Sequence, residues 1–237
     1  MEEKRKAKAR IEIKIERPRS VLTSSFSLFL LLLISFILLS ASFMPASAQT
    51  MSVPIKVTST PDASKWAQCA FAPDGRLYII WQEQYKATGG SDIFIISYDG
   101  QTWSSPLNLK NRPHSPADRP YIHISAKGNI YVAWDEWGVV LREFNAQTQT
   151  WLSPVRLSTY TYGGFEPCIA TDPDENVYVF WYNDQAGVVY SRSRIAGSWE
   201  PIKQMSTPGA TAKQGAIAAG RDGWVWCMWR EKQPDNL

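Results

Sequence analysis

After position 50, short apolar runs alternate with polar turns in a unit that recurs four times at nearly even spacing. Each unit is anchored by a tryptophan that ends an apolar run: Arg76–Trp81 (RLYIIW), Asn129–Trp134 (NIYVAW), Val177–Trp181 (VYVFW) and Trp224–Trp229 (WVWCMW). A second tryptophan follows each of the first three anchors, at Trp103, Trp151 and Trp199. Each unit opens on a proline and a short alternating run: Pro54–Ser59, Pro106–Lys110, Pro154–Ser158 and Pro201–Ser206, at a near-constant distance ahead of the anchor. A strand of small residues comes next (Gln68–Ala72, Tyr121–Ala126, Cys168–Thr171, Ala216–Ala219). A tight turn then leads to the anchor strand, and a third strand follows (Ile93–Tyr98, Val139–Phe144, Val188–Arg192). Period-two alternation bounded by Gly, Pro, Asp and Asn predicts antiparallel strands.

Four antiparallel strands per repeat, at a period of roughly 40–50 residues, predict an all-β β-propeller of four-stranded blades. The small-residue strand is expected innermost and the Pro-headed strand outermost, where a missing N–H breaks no ladder bond. About 3.5 blades are legible, so the sequence reads as a fragment of a six- or seven-bladed ring, expected to self-associate through an open blade face.

Positions 1–48 fall outside this pattern. The stretch 1–20 holds eight Lys/Arg against four Glu; the stretch 21–48 holds no charge, and Ala46-Ser47-Ala48 ends the run. Basic, apolar and small, in that order, predict a secretory signal over 1–48 cleaved after Ala48, with 49–237 as the propeller domain in an extracytoplasmic setting. The alternative is an uncleaved anchor over Phe26–Met44, the one route to membrane association. Without 1–48 the net charge falls from +3 to −1, so the basic pI belongs to that segment and argues for no nucleic-acid partner. The three cysteines, Cys69, Cys168 and Cys227, give no disulfide framework and no metal spacing; Cys69 and Cys168 fall at matching places in the repeat, and all three read as small buried hydrophobes. No cofactor motif is present.

Ser97-Tyr98-Asp99-Gly100-Gln101-Thr102-Trp103 resembles the Asp-box (BNR) motif of sialidase-type propellers with one residue deleted. The matching turns Asn145–Trp151 and Ser193–Trp199 keep Thr-Trp and Ser, Gly and Trp respectively. The resemblance implies a structural turn in which Asp and Ser accept N–H bonds and Gly supplies positive φ. A sialidase of that family would also carry an arginine triad, a Tyr–Glu pair and an Asp acid/base. Its first-blade arginine string is absent, with Arg119-Pro120 the nearest match, and no catalytic residue carries over. The resemblance therefore implies a glycan- or protein-binding propeller, with a sialidase-like exo-glycosidase as the alternative.

Candidate ligand groups lie on the loops between blades and after the anchors, which vary from copy to copy. They are Asp118 and Arg119, which open an inner strand, and Glu166, at the corresponding place one blade on. Asp135, Glu136 and Trp137 follow one anchor, and Asp184 follows the next. A planar Arg can grip a carboxylate, a Trp face can stack on a pyranose ring, and carboxylates accept hydroxyl hydrogens. His123 reads as a hydrogen-bonded core residue, His114 offers little, and Tyr190 reads as interblade packing at the place of Arg142 and Phe94.

Overall fold

The computed structural model describes residues 54–58, 62–110 and 115–232. Residues 1–48, which the sequence predicts as a secretory signal, and His114 lie outside the described residues.

The described chain is all-β, and it is a β-propeller in its repeat. Blade 1 holds β1 (Ala63–Phe71), β2 (Leu77–Gln84), β3 (Ser91–Tyr98) and β4 (Leu107–Asn108) in that order. Blade 2 holds β5 (Asp118–Ile124), β6 (Ile130–Asp135) and β7 (Val139–Asn145), with β8 (Thr150–Trp151) and β9 (Val155–Arg156) both paired to β7. Blade 3 repeats this with β10 (Phe165–Thr171), β11 (Val177–Asn183), β12 (Val188–Ile195), β13 (Ser198–Trp199) and β14 (Lys203–Gln204). Blade 4 is the hairpin of β15 (Thr211–Ala219) and β16 (Val225–Lys232).

The fourth strand is one edge strand in two pieces. The second tryptophan begins it, Pro154 or Pro201 interrupts it, and the Pro-headed run completes it. Residues 54–58 depart from the expected strand. In the other copies that run pairs with the third strand of the preceding blade, and the described residues offer Pro54–Thr58 no such partner.

Strand alternation gives each blade a back face toward the previous blade and a forward face toward the next. Anchor tryptophans lie on the back faces. Trp134 of blade 2 packs with Ile80, Ile93 and Leu109 of blade 1. Trp181 of blade 3 packs with Tyr131, Ala133 and Leu141 of blade 2. Phe180, Tyr182 and Val189 of blade 3 meet Ala212, Ile217 and Trp229 of blade 4.

Strand register corrects two equivalences. Cys69 pairs with Ile79, whereas Cys168 pairs with Phe180, one residue out of phase, so the two thiols lie on opposite faces. Cys69 is exposed and not buried, because no described blade covers the back face of blade 1; Cys168 is buried. Tyr190, opposite Trp181, matches Phe94 opposite Trp81, but the counterpart of Arg142 is Arg192, opposite Val179 as Arg142 is opposite Val132. Both arginines pin blade to blade. Arg142 donates from Nε to Leu152 O (3.0 Å) and from Nη1 to Leu109 O of blade 1 (2.8 Å). Arg192 does the same to Glu200 O (2.8 Å) and Leu157 O of blade 2 (2.9 Å).

Candidate functional site

Every inner strand bulges at the same place. Pairing shifts between Lys65 and Gln68, Asp118 and Tyr121, Phe165 and Cys168, and Lys213 and Gly215. The residue inside each bulge is left-handed: Trp66 (φ 52°), Arg119 (φ 46°), Glu166 (φ 47°) and Gln214 (φ 48°). Each stands at the same distance ahead of its anchor tryptophan. Non-glycine residues rarely adopt this backbone, and bulges re-aim side chains beside functional sites. Adjacent inner strands pack on one another, so these four residues line the crowded inner edge of the blades.

Arg119 is held on three sides. Its Nη1 meets Asp118 Oδ2 at 2.8 Å, and its guanidinium lies 5.3 Å from the Trp66 ring centroid and 4.8 Å from that of Phe165. Two hollows adjoin it. The first, about 390 Å³, lies between blades 2 and 3 and is lined by Asp118, Arg119, Asp135, Trp137, Tyr160 and Asn183 among others. The second, about 300 Å³, runs along the inner strands past Trp66, Tyr121, Glu166 and Cys168.

The first hollow exists because blade 3 departs from a rule the other blades obey. In blades 1, 2 and 4 the anchor indole donates to a glutamate two residues on: Trp81 to Glu83 (3.0 Å), Trp134 to Glu136 (2.9 Å) and Trp229 to Glu231 (2.8 Å). That glutamate also ties down the chain entering its blade, through Ser64 Oγ at the start of β1 (2.9 Å), or through Ser115 Oγ (2.9 Å) or Thr207 N (3.0 Å) of the preceding loop. In blade 3 the position is Asn183. There the Trp181 indole donates to Tyr162 O (3.0 Å), and Asn183 Nδ2 donates to Thr161 O (2.9 Å). These bonds hold a 3₁₀ turn, Tyr160–Tyr162, at the rim. Gln185 Nε2 donates to Tyr160 Oη (2.8 Å) and fixes the ring.

The opposite rim is the turn after β6. Glu136 N donates to Gly138 O (2.8 Å) and Gly138 N to Asp135 Oδ1 (3.2 Å), which leaves the Trp137 ring outward at φ 54°. Gly138 has φ 122°, and a Cβ there would stand 2.5 Å from Ser158 O; one on Gly164 would stand 2.6 Å from Gly138 C. The two rims meet only because both positions are glycine. Trp137 and Tyr160 remain 56% and 62% exposed at the mouth.

On the floor, Asp118 and Asp135 are cross-strand partners. Burial is the main cause that lifts the Asp135 carboxyl above its ordinary range. The Gly138 N–H opposes it, the Asp118 charge adds to it, and Arg119 and Arg156 oppose it.

The structure divides the candidates read from the sequence. Asp118, Arg119, Asp135 and Trp137 meet in the first hollow, and Glu166 faces the second. Glu136 is turned inward, committed to Trp134 and Ser115. Asp184 lies at a blade 3–blade 4 contact, 3.2 Å from Lys213 Nζ. His123 is a core residue, its Nε2 2.8 Å from Thr171 Oγ1 of blade 3, and burial lowers its pKa. Trp66 and Gln214 are additions that residue type does not signal, although they share the repeat position of Arg119 and Glu166. Asn183 is a further addition, and its signal is the break it makes in the Trp-x-Glu pattern.

No protein-family model matches the chain, and no curated protein matches it. Among solved structures, the chain is similar to a protein of unknown function from Dyadobacter fermentans, with a TM-score of 0.53 at 11% identity over 71% of this chain and 62% of that one. An α-L-arabinanase from Penicillium chrysogenum gives a TM-score of 0.47 at 15% identity, over 68% of this chain and 57% of that one. An intramolecular trans-sialidase from Ruminococcus gnavus gives 0.47 at 12% identity, over 72% and 41%. The chain spans less than two thirds of each of these proteins. The likeness is one of fold.

Proposed function

We propose that the chain is a glycan-binding propeller and that the ligand lies in the hollow between blades 2 and 3. The observation that carries this reading is the rim of two outward rings, Trp137 and Tyr160, above a floor of hydrogen-bonding side chains. Aromatic faces take the C–H surface of a sugar, and Asp118, Asn183 and Gln185 offer acceptors and donors for its hydroxyls. The proposed glycan is neutral rather than acidic. Asp118 already answers the charge of Arg119, and Asp135 adds a second carboxylate to the lining, so the lining offers a sugar carboxylate no guanidinium that is not already paired. The reading extends to an Asp-box ancestry, supported by Asp99 Oδ1, which accepts from Gln101 N (2.9 Å) and Thr102 N (2.7 Å). It also extends to export through residues 1–48, supported by the composition of that segment.

A glycan array probed with the chain should return neutral oligosaccharides. Trp137→Ala should weaken each hit at least tenfold, whereas Asp99→Ala, on the Asp-box turn of blade 1, should leave affinity unchanged. Hits that are indifferent to Trp137, or confined to sialosides and uronates, would overturn the reading.

One observation favours a second reading, a glycoside hydrolase. Two carboxylates share the floor, and the environment raises the pKa of one of them, which is how acid and base roles are separated. Under the binding reading, aryl glycosides are not turned over. Turnover that is lost in Asp135→Asn would establish the second reading instead.

A further inference from the structure

The floor position of the first hollow recurs one blade earlier. Gln82 stands opposite Lys65 in blade 1 as Asp135 stands opposite Asp118 in blade 2. Gln82 lies two residues beyond Ile80 on β2, so it shares the face of Ile80, which packs with Ile122 and Trp134 of blade 2. It therefore belongs to the covered joint between blades 1 and 2. Asp135 accepts the Gly138 N–H. Gln82 is 6% exposed, and among the described residues nothing donates to its Oε1. Buried amide oxygens are nearly always hydrogen-bonded, and one without a donor weakens the fold that holds it.

A hollow of about 520 Å³ opens beside it, lined by Lys65, Trp66, Gln82, Gln84 and Asp118. One water takes about 30 Å³ of liquid volume, so the space is far larger than a single buried water needs. The Trp66 ring receives the Arg119 guanidinium 5.3 Å from its centroid, yet it stays 49% exposed. Gln84 follows anchor Trp81 at the distance at which Trp137 follows Trp134, and its Oε1 accepts from Lys65 Nζ at 2.6 Å. Asp118 lines this hollow and the first one, so the two adjoin there. Each sets one indole beside two side-chain amides: Trp137 with Asn183 and Gln185, and Trp66 with Gln82 and Gln84.

We infer that the hollow between blades 1 and 2 is a second sugar subsite, and that the glycan is a neutral oligosaccharide lying across Asp118 from Trp137 to Trp66. A hydroxyl of the far sugar donates to Gln82 Oε1, its C–H face lies on Trp66, and the Gln84 amide donates to a neighbouring hydroxyl. A monosaccharide fills one hollow and leaves Gln82 without a donor; a longer glycan supplies it. The inference rests on the glycan reading of the first hollow and adds to it a second subsite and a dependence on ligand length.

The test is calorimetric titration of the full chain, in a sugar-free detergent that shields the apolar run 21–48, with gluco-, xylo-, manno-, galacto- and arabino-oligosaccharides of one to six units. Affinity should rise at least tenfold from the shortest member that binds to the longest. Gln82→Met should remove that gain and leave the affinity of the shortest member unchanged, whereas Trp137→Ala should weaken every member. Thermal melting of the free chains gives a second readout. Gln82→Met replaces an acceptor that has no donor, so its midpoint should equal or exceed that of the wild type. A lower midpoint would mean that Gln82 is already bonded in the free protein and would overturn the inference. Binding that depends on Trp137 but not on length would overturn the second subsite alone, and so would a length gain that survives Gln82→Met. No binding by any of the five series would overturn the glycan reading and this inference together.

Discussion

Asp135 carries opposed demands. Its Oδ1 must accept the Gly138 N–H that shapes the rim, yet its surroundings penalise the charge that makes it a good acceptor. In the unfolded chain the carboxyl titrates at its ordinary value of 3.8, and folding raises it. Between those two values the folded chain holds more protons than the unfolded one. Stability therefore declines as pH rises through that window, and the penalty is complete above the folded pKa. Asp135→Asn keeps the acceptor and removes the charge. Its thermal midpoint should exceed that of the wild type at pH 7 by about 2–4 °C, the size of a change of about 1 kcal/mol in a domain this large. The two should converge by pH 3. Melting curves of both chains across that range check the sign; a gap that widens toward acid would contradict it.

The blades are joined by a device that works at the level of whole elements. From the third strand of their own blade, Arg142 and Arg192 each bridge the edge strand to the preceding blade, with the guanidinium carbon 5.7 Å from the ring centroids of Trp151 and Trp199 respectively. Arg142→Met preserves the stem and removes two donors, leaving Leu152 O and Leu109 O without them. It should cost about 1.5–3 kcal/mol in urea unfolding, as for hydrogen bonds to a charged group. Lys203→Met, at an exposed pair with Glu200, should cost less than about 1 kcal/mol. Elements are the most legible level in the sequence. The constant spacing of Pro to Trp places the inner, anchor and edge strands, because turn residues and period-two alternation are local signals. Phase within a strand is less legible. The anchor's partner on the third strand is Phe94 for Trp81, Val140 for Trp134 and Tyr190 for Trp181, at three different separations, since the turns between second and third strands differ, and counting onward from the tryptophan loses register. One residue of slip turns a side chain to the other face, as between Cys69 and Cys168, twelve and thirteen residues ahead of their anchors; Tyr190 and Arg142 differ by two register positions and so share a face at different levels. The bulges leave no trace in residue type. Trp, Arg, Glu and Gln have no preference for left-handed backbone, so only their shared distance to the anchor announces them. Asn183 is legible in principle as the break in Trp-x-Glu, but the hydrogen bonds that give that pattern meaning are visible only in the fold.

At the scale of the whole molecule, the chain is an array in which each blade is stabilised mainly by its neighbours. Among the described residues, blades 2 and 3 are covered on both faces, and blade 4 is a two-stranded hairpin covered on one. Opening should follow that order. In hydrogen exchange, amides of β15 and β16 should exchange first, and those of β6 and β11 should be last. Uniform exchange across the blades would mean that the array behaves as a single cooperative block. The ring of bulges has a different consequence. Four chemically unlike side chains, an indole, a guanidinium, a carboxylate and an amide, share one left-handed φ within a few degrees, so the pairing of the flanking strands and not the side chain fixes it. The chain thus separates scaffold from vocabulary: what is written at positions 66, 119, 166 and 214 can be rewritten letter by letter, and the propeller supplies the grammar.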